Sequence, residues 1–253
     1  MPRSATAAAW RLGRHVRFRL PGLGRFLQRP PEISHTRSLE QARNLGFAPR
    51  AVYDIGAFRG WWSQSTARVF PEAHFTLFEA NADNESELKA AGFPYFITVL
   101  DAVDGAEKRL YLSRQATATG VSLYRETTPF YSDDNAYVVN VKTRTLDAVA
   151  AEHRLDLPDL IKIDVQGAEI DVLNGATKSL ANCEMLLLEA SLLNYNEGAP
   201  QIGEVFEAVD HLGFKCVDIC EIHRIGPGLT FQADLIFVRD RLYHKYRSAA
   251  GLL

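Results

Sequence analysis

The chain has few cysteines and no long apolar run, and both shortages narrow the class of protein. Its three cysteines among 253 residues are odd in number and too few for a disulfide framework, which favours a reducing compartment. No stretch approaches the roughly 20 apolar residues of a membrane-spanning helix. Because 28 basic residues face 31 acidic ones, the composition gives no support for a nucleic-acid partner. We therefore predict a cytoplasmic protein.

The first 31 residues contain no aspartate or glutamate, although they hold seven arginines. These arginines interrupt every apolar stretch, which excludes the continuous apolar region of a secretory signal. Since Pro30-Pro31 marks a boundary, we predict a basic N-terminal extension over residues 1–35 and one domain over residues 36–253. Three interpretations of the extension stay open. It is a frayed terminus, a peripheral contact of residues 1–31 with an anionic membrane or acidic partner, or an interface in a homo-oligomer.

Beyond the extension, short apolar segments alternate with amphipathic ones. The apolar segments of the alternating part are Ala51–Ile55, His74–Phe78, Phe96–Leu100, Leu160–Ile163 and Met185–Leu188. The helical segments are Leu39–Leu45, Trp61–Phe70, Asn84–Ala91, Glu169–Leu180 and Gln201–Leu212. This alternation predicts an α/β fold with a mainly parallel, doubly wound sheet. The last two strands, Lys215–Ile222 and Ala233–Val238, are joined by a loop too short for a helical crossover, so they are predicted to pair antiparallel at the edge.

The segment after the first predicted strand reads Asp54-x-Gly56-x-x-x-Gly60. A dinucleotide fingerprint, G-x-G-x-x-G, needs its second glycine two positions after Gly56, and Phe58 occupies that position here. A phosphate-binding P-loop is also excluded, because no Gly-Lys-Ser/Thr follows. The remaining pattern fits a ligand with a cationic amino-acid end better than a pyrophosphate.

Acidic residues also follow the next two predicted strands. Glu79 ends the second strand, 25 residues after Asp54, where a carboxylate can accept hydrogen bonds from both ribose hydroxyls of an adenosine. Asp101-Ala102 ends the third strand and places an acceptor where an adenine amino group is expected. Three strand ends with acids therefore predict adenosine binding without a pyrophosphate.

Residues from about 50 to 240 resemble the FkbM family of methyltransferases, whereas residues 1–49 lie outside the match. The matching segments are VYDIGAFRGWWS (52–63), FTLFEAN (75–81), TGVSL (119–123), TLDAV (145–149), LIKIDVQGAEIDVLNGA (160–176), LLLEA (186–190) and QADLIFVR (232–239). The resemblance implies a Rossmann-like class I methyltransferase fold, an S-adenosylmethionine cofactor and usually an O-methylated product. The cofactor-site positions predicted from the motifs and this resemblance are Asp54, Gly56, Ala57, Gly60, Glu79, Ala80, Asp101, Ala102 and Asp164.

Two further acids are the predicted catalytic residues. Asp164 follows the fourth strand at the start of a helix, where it can orient or deprotonate an acceptor hydroxyl, ligate a divalent metal, bind the ammonium of the cofactor or cap the helix. Glu189 closes the next strand and can serve as a second acid or metal ligand. Tight metal-ligand spacing is missing, so a metal requirement stays open. His223, near the end of the penultimate strand, is a second candidate base.

The acceptor is the part of the function that the sequence specifies least. Residues 117–135 form a polar, aromatic connection that we predict to bind the acceptor. We predict O-methylation of a hydroxyl on a small sugar-like or natural-product molecule. The alternatives are a nucleic-acid or protein N-methyltransferase and a non-catalytic S-adenosylmethionine-binding protein. Nucleic-acid N-methyltransferases carry Asn/Asp-Pro-Pro-aromatic where this chain has Asp164-Val165-Gln166-Gly167.

Overall fold

The computed structural model describes residues 34–114, 120–128, 131 and 135–252. Ile33–Leu253 form one structural unit. The extension predicted over residues 1–35 lies almost wholly outside the described residues and stays a prediction, although His35 already belongs to the first helix. Within the described part of the chain, no helix has both the length and the apolarity needed to cross a membrane.

The strands form one large sheet and one small sheet. In chain order they are β1 (Ala51–Ile55), β2 (His74–Glu79), β3 (Tyr95–Ile97), β4 (Val99–Leu100), β5 (Glu107–Ser113), β6 (Ala136–Arg144), β7 (Leu160–Ile163), β8 (Met185–Ser191), β9 (Phe214–Ile225) and β10 (Leu229–Arg239). The large sheet has the order β3-β2-β1-β7-β8-β10-β9. Its first five strands are parallel, and β10 runs antiparallel to both β8 and β9. The predicted mainly parallel sheet with an antiparallel edge is confirmed.

Eight described α-helices accompany the strands. They are α1 (His35–Asn44), α2 (Trp61–Val69), α3 (Glu85–Ala91), α4 (Leu146–Glu152), α5 (Glu169–Asn174), α6 (Thr177–Asn182), α7 (Ile202–His211) and α8 (Asp240–Ala249). Local chemistry explains several of their ends. The hydroxyl of Thr145 accepts a hydrogen bond from the Ala148 amide at the start of α4, and Gly92 ends α3 in the left-handed conformation, which glycine adopts at little cost.

Residues alternate between the two faces of the large sheet, and each face carries its own apolar core. Tyr53 and Ile55 belong to one core together with α5, α6 and α7 residues such as Leu173. Val52 and Leu77 belong to the opposite core together with residues of α1, α2 and α8. A sheet buried on both faces needs apolar side chains at successive strand positions, which accounts for the short apolar runs in the sequence.

The prediction of one strand over Phe96–Leu100 is wrong, because the chain changes sheets within it. The amide of Thr98 donates to the Glu79 carbonyl at the edge of the large sheet. The next residues, Val99–Leu100, instead pair with β6 in the small sheet, whose order is β4-β6-β5. The partner strands β5 and β6 were not predicted, because each has one solvated side and a mixed polar composition.

The prediction of one continuous helix over Glu169–Leu180 is also wrong. The segment forms α5 and α6, with Gly175 and Ala176 between them. A β-carbon on Gly175 would lie 2.2 Å from the carbonyl oxygen of Asp101. The helix therefore breaks where the backbone packs directly against the end of the neighbouring strand, a contact that helical periodicity does not reveal.

Candidate active site

A cavity of about 330 Å³ opens at the carboxyl ends of the parallel strands. It lies at the point where the strand order reverses between β1 and β7, the usual ligand site of such sheets. Six of the residues predicted for the site line the cavity, namely Gly56, Ala57, Glu79, Ala80, Asp164 and Glu189. The other four, Asp54, Gly60, Asp101 and Ala102, are not among the lining residues.

Gly56 allows the turn after β1 to touch the end of β7. Its φ of +73° lies in the left-handed region, and a β-carbon here would lie 1.8 Å from the carbonyl oxygen of Asp164. The amides of Gly56 and Ala57 both donate to the carbonyl of Phe78 on β2. The glycine is therefore required by close backbone packing between three strand ends, which shapes the floor of the cavity.

Beneath this floor, Asp54 and Lys162 form a buried charge pair. The Asp54 side chain is fully buried and accepts a hydrogen bond of 2.6 Å from the Ser63 hydroxyl. The Lys162 Nζ lies 3.4 Å from Asp54 Oδ1 and 3.2 Å from Asp164 Oδ2. Burial alone lowers the pKa of Lys162, but the carboxylates of Asp164 and Asp54 outweigh it and raise the pKa above its ordinary value. One ammonium thus serves two carboxylates, which leaves an excess negative charge.

Glu79 projects from the end of β2 into the cavity wall. Its side chain accepts hydrogen bonds from the Phe58 amide at 2.7 Å and the Asn81 amide at 2.8 Å. Burial raises the pKa of Glu79, and these two amides oppose that rise. A carboxylate has about four acceptor positions, so Glu79 retains the capacity to accept hydrogen bonds from a ligand.

Apolar side chains that line the same cavity as Glu79 form what we call the apolar slot. They come from the end of β2, from the small sheet and from residues 121–123, namely Phe78, Val99, Leu100, Leu110, Val121 and Leu123. An adenosine needs apolar surface for its ring and a hydrogen-bond acceptor for its ribose, and this cavity offers both. The residues present therefore fit S-adenosylmethionine.

Asp101, which is predicted to contact adenine, is not among the residues that line the cavity. Its side chain is fully buried, and its Oδ1 accepts a 2.7 Å hydrogen bond from Lys108 Nζ on β5. The other oxygen, Oδ2, has no hydrogen-bond partner among the described residues. Asp101 ties the strand end to the small sheet, and a cofactor contact of Asp101 or Ala102 stays a prediction.

Gln166 connects the two predicted catalytic acids. Its amide nitrogen donates to Asp164 Oδ1 at 2.9 Å and to Glu189 Oε2 at 2.6 Å. The backbone of Gln166 has a positive φ of 56°, which costs a non-glycine residue about 1–3 kcal/mol. Hydrogen bonds to its carbonyl from Ser122 and Asn196 hold this conformation. The strained residue, Gln166, is therefore also the residue whose side chain holds Asp164 and Glu189 in place at the cavity wall.

Glu189, Asp234 and Glu221 lie side by side across three strands. The register pairs Glu189 of β8 with Asp234 of β10, and Asp234 with Glu221 of β9. Burial and the neighbouring charges of Asp164 and Asp234 raise the pKa of Glu189 well above its ordinary value. The amide of Gln232 also donates to Glu189 at 2.5 Å. This row gives the far end of the cavity a strongly acidic wall.

Two histidines contact the central acid of the row. His35 Nε2 on α1 lies 2.8 Å from Asp234 Oδ2, and His223 Nε2 on β9 lies 3.2 Å from the same oxygen. Burial raises the pKa of Asp234, but the hydrogen bonds with His223 and His35 outweigh it and hold the pKa below its ordinary range. The hydrogen bond with Asp234 also raises the pKa of His223.

Sequence reasoning missed several residues of this wall. Lys162, Gln232 and Asp234 are polar residues inside otherwise apolar strand segments, and that contrast is the signal that could have found them. His35 carried no such signal, because it lies at the start of a helix 199 positions from its partner. The predicted acceptor loop lies partly outside the described residues, which omit 117–119, 129–130 and 132–134. Of its described part, residues 121–123 line the cavity.

The reversed strand order and the antiparallel edge define a Rossmann-like fold of the class I methyltransferase type, and the cavity beside Glu79 lies at its switch point. The sequence profile described as the Methyltransferase FkbM domain matches residues 54–216, well over half of the chain. The chain therefore belongs to the FkbM methyltransferase family.

Individual relatives are distant. The AMB antimetabolite synthetase AmbE of Pseudomonas aeruginosa is 29% identical over 173 residues, which is 54% of this chain but 8% of that protein. Magnesium protoporphyrin IX methyltransferase from Synechocystis PCC 6803 with bound SAM is 11% identical, with a TM-score of 0.47 over 81% of this chain and 76% of that one. Precorrin-6y C5,15-methyltransferase from Geobacter metallireducens GS-15 is also 11% identical, with a TM-score of 0.43 over 81% and 87%. Both TM-scores lie below 0.5, so the fold assignment rests on strand order and on the family.

Proposed function

We propose that this enzyme transfers a methyl group to a hydroxyl oxygen of a small polar molecule. The observation that carries the proposal is the pair of acids, Asp164 and Glu189, joined by Gln166 at the cavity wall. Hydroxyl groups donate hydrogen bonds, and this wall offers acceptors at adjacent positions. A sugar-like or natural-product acceptor meets that requirement. The relative AmbE is named as an antimetabolite synthetase, which agrees with a natural-product acceptor.

The cofactor half of the cavity, comprising Gly56, Glu79 and the apolar slot, is the part that would hold S-adenosylmethionine. When bound, the cofactor supplies an electrophilic methyl group on a positively charged sulfur. Glu79 accepts hydrogen bonds from ribose hydroxyls, while the floor at Gly56 lets the ligand approach the backbone closely. The excess negative charge around Lys162 favours a ligand that carries positive charge.

The acids of the far wall orient the acceptor and take its proton. The Asp164 side chain is 33% exposed, against 8% for Glu189 as a whole residue, so Asp164 is more open to a ligand. Glu189, whose pKa is raised by burial and by the neighbouring charges, orients the acceptor oxygen either by donating to it as the protonated acid or through a cation that it binds as a carboxylate. When the acceptor hydroxyl takes the methyl group that a bound cofactor would supply, Asp164 would accept the hydroxyl proton. This division of roles is typical of acids whose environments differ.

Labelled S-adenosylmethionine and a panel of sugars, polyketides, peptides and oligonucleotides test the proposal. We expect the label in an alkali-stable methyl ether of a hydroxylated small molecule. Asp164→Asn should lower turnover by roughly 10²–10⁴, the range for loss of a general base, and should leave cofactor affinity nearly unchanged. The matched control is Asp210→Asn, because Asp210 is exposed on α7 and far from the cavity lining. Transfer to nitrogen or carbon, or full turnover by Asp164→Asn, would contradict the proposal.

A further inference from the structure

A cluster of ligand-type side chains lies at the far end of the cavity and includes Glu189. One oxygen or nitrogen from each of Glu189, His223 and Asp234 lies within 4.8 Å of the others. A second group, His35, Glu221 and Asp234, meets the same criterion and shares Asp234. The side chains come from α1 and from strands β8, β9 and β10, and all of them line the cavity. Their convergence therefore results from the tertiary fold and not from one acidic stretch of sequence.

The charge balance of this cluster favours a cation. Glu189 and Asp234 are both buried, at 8% and 5% exposure, and they occupy paired positions on adjacent strands. The nearby ammonium of Lys162 already contacts two other carboxylates. Buried carboxylates that face each other repel unless a positive charge or a proton separates them. A divalent ion between them would relieve this repulsion in place of a proton on Glu189 or on the histidines that contact Asp234.

We propose that Glu189, His223 and Asp234 bind one divalent first-row transition-metal ion. Carboxylate oxygens alone are typical of Mg²⁺ and Ca²⁺ sites, whereas an imidazole nitrogen in the set favours ions such as Mn²⁺, Fe²⁺, Co²⁺ or Zn²⁺. The 3.2 Å between His223 Nε2 and Asp234 Oδ2 is close to the separation of adjacent ligands that each lie about 2.1 Å from one ion.

Neighbouring side chains orient the three ligands. Gln166 and Gln232 donate to Glu189, and His35 contacts the carboxylate of Asp234. Hydrogen bonds of this kind to metal-bound carboxylates and imidazoles fix their direction. Three protein ligands leave coordination positions open toward the cavity, where an acceptor oxygen can bind. That role for the ion rests on the proposed function, whereas metal binding itself does not.

The experiment titrates the untagged full-length protein with Co²⁺, in the absence of cofactor and acceptor. We expect saturable visible absorption bands with one ion per chain, and calorimetric binding of Mn²⁺ at the same stoichiometry. His223→Asn and Asp234→Asn should each weaken binding by about tenfold or more. The matched control is His211→Asn, because His211 is exposed at the end of α7, and it should bind like the unmodified protein.

Two results would overturn the site. One is the absence of saturable Co²⁺ absorption in the unmodified protein, which decides the question even where a variant fails to fold. The other is unchanged affinity in both site variants, with circular dichroism showing that they are folded. Because the titration contains no methyl donor or acceptor, failure here leaves the O-methylation proposal intact. Metal binding without transfer to oxygen would contradict only the proposed function.

Discussion

The carboxylates in the two halves of the cavity are held in different ways. In the cofactor half, Glu79 accepts from backbone amides that lie 2 and 21 positions away in the chain. In the acceptor half, which comprises Glu189, Asp234 and His223, the partners are side chains, and two of them lie at much greater separations. Gln232 lies 43 positions from Glu189, and His35 lies 199 positions from Asp234.

The difference shows which half tolerates change. A backbone amide is present whatever the side chain, so the support of Glu79 survives most substitutions around it. The support of Glu189 and Asp234 depends on the identity of particular distant side chains. Variation in Gln166, Gln232 or His35 is therefore expected to alter the acceptor half while the cofactor half keeps its geometry.

The first prediction has the largest expected effect and concerns the turn at Gly56, which forms the floor of the cofactor half of the cavity. Gly56→Ala places a β-carbon against the Asp164 carbonyl at a positive φ. The combined strain and overpacking should lower the free energy of unfolding by about 3–5 kcal/mol. Urea denaturation followed by circular dichroism measures the change.

Gly92→Ala is the matched control for that variant. Gly92 has a similar φ of +82°, but no atom lies within 4 Å of the place that a β-carbon would occupy. Only the backbone strain remains, so we expect a loss of about 1–2 kcal/mol. Equal losses in the two variants would show that contact with the Asp164 carbonyl contributes nothing.

The second prediction concerns the pKa of Glu169, a buried acid whose hydrogen-bond partners are amides close to it in the chain. Glu169 accepts from the Val165 and Gly167 amides, yet burial raises its pKa from 4.5 to about 7. The folded protein thus retains the proton to a higher pH than the unfolded chain. Its contribution to stability is full below about pH 4.5 and is lost as the pH rises through about 7.

Glu169→Gln retains a neutral side chain at every pH, so it isolates this contribution. Relative to the unmodified protein, the variant should gain on the order of 3 kcal/mol in free energy of unfolding between pH 4.5 and 8. Denaturation curves at several pH values measure the difference. A difference that stays constant with pH would mean that the amides do hold Glu169 ionised.

The third prediction concerns Glu79, the side chain proposed to accept hydrogen bonds from the cofactor. Glu79→Ala should weaken S-adenosylmethionine and S-adenosylhomocysteine binding by about 1.5–3 kcal/mol, the scale of hydrogen bonds to a charged group. Calorimetry measures both ligands, with NAD as a ligand that should not bind. Glu207→Ala serves as control because Glu207 is exposed on α7 and does not line the cavity. Unaltered affinity in Glu79→Ala would remove this residue from the cofactor site.

The smallest expected effect concerns the long-range support of the acceptor half. His35→Asn removes the imidazole that contacts Asp234 and should lower the free energy of unfolding by about 0.5–1.5 kcal/mol. Cofactor affinity should stay within error of the unmodified value, since Glu79 has independent support. A parallel loss of cofactor affinity would show that the two halves are not independent.

Much of the cofactor half could be predicted from the sequence. Gly56 and Glu79 lie at the ends of apolar strands. Because the carboxyl ends of parallel strands meet at one edge of a sheet, the sequence predicts that these two residues lie close together. Asp101 also follows a strand, but it does not line the cavity. That strand, β4, belongs to the small sheet, and the Asp101 side chain pairs with Lys108 of the same sheet. That sheet was not foreseen, since the alternation of β5 and β6 resembles a solvated surface.

The sequence by itself determined the α/β class, the antiparallel edge and the strand-end motifs, because these depend on periodicity and on residues close together in the chain. Only the tertiary structure decided that Asp234 joins Glu189, with His35 and His223 around it. The physical reason is that a cross-strand neighbour is set by sheet order and register, which depend on the packing of the whole sheet. A polar residue inside an apolar strand shows that a partner exists, and the fold determines which side chain that partner is.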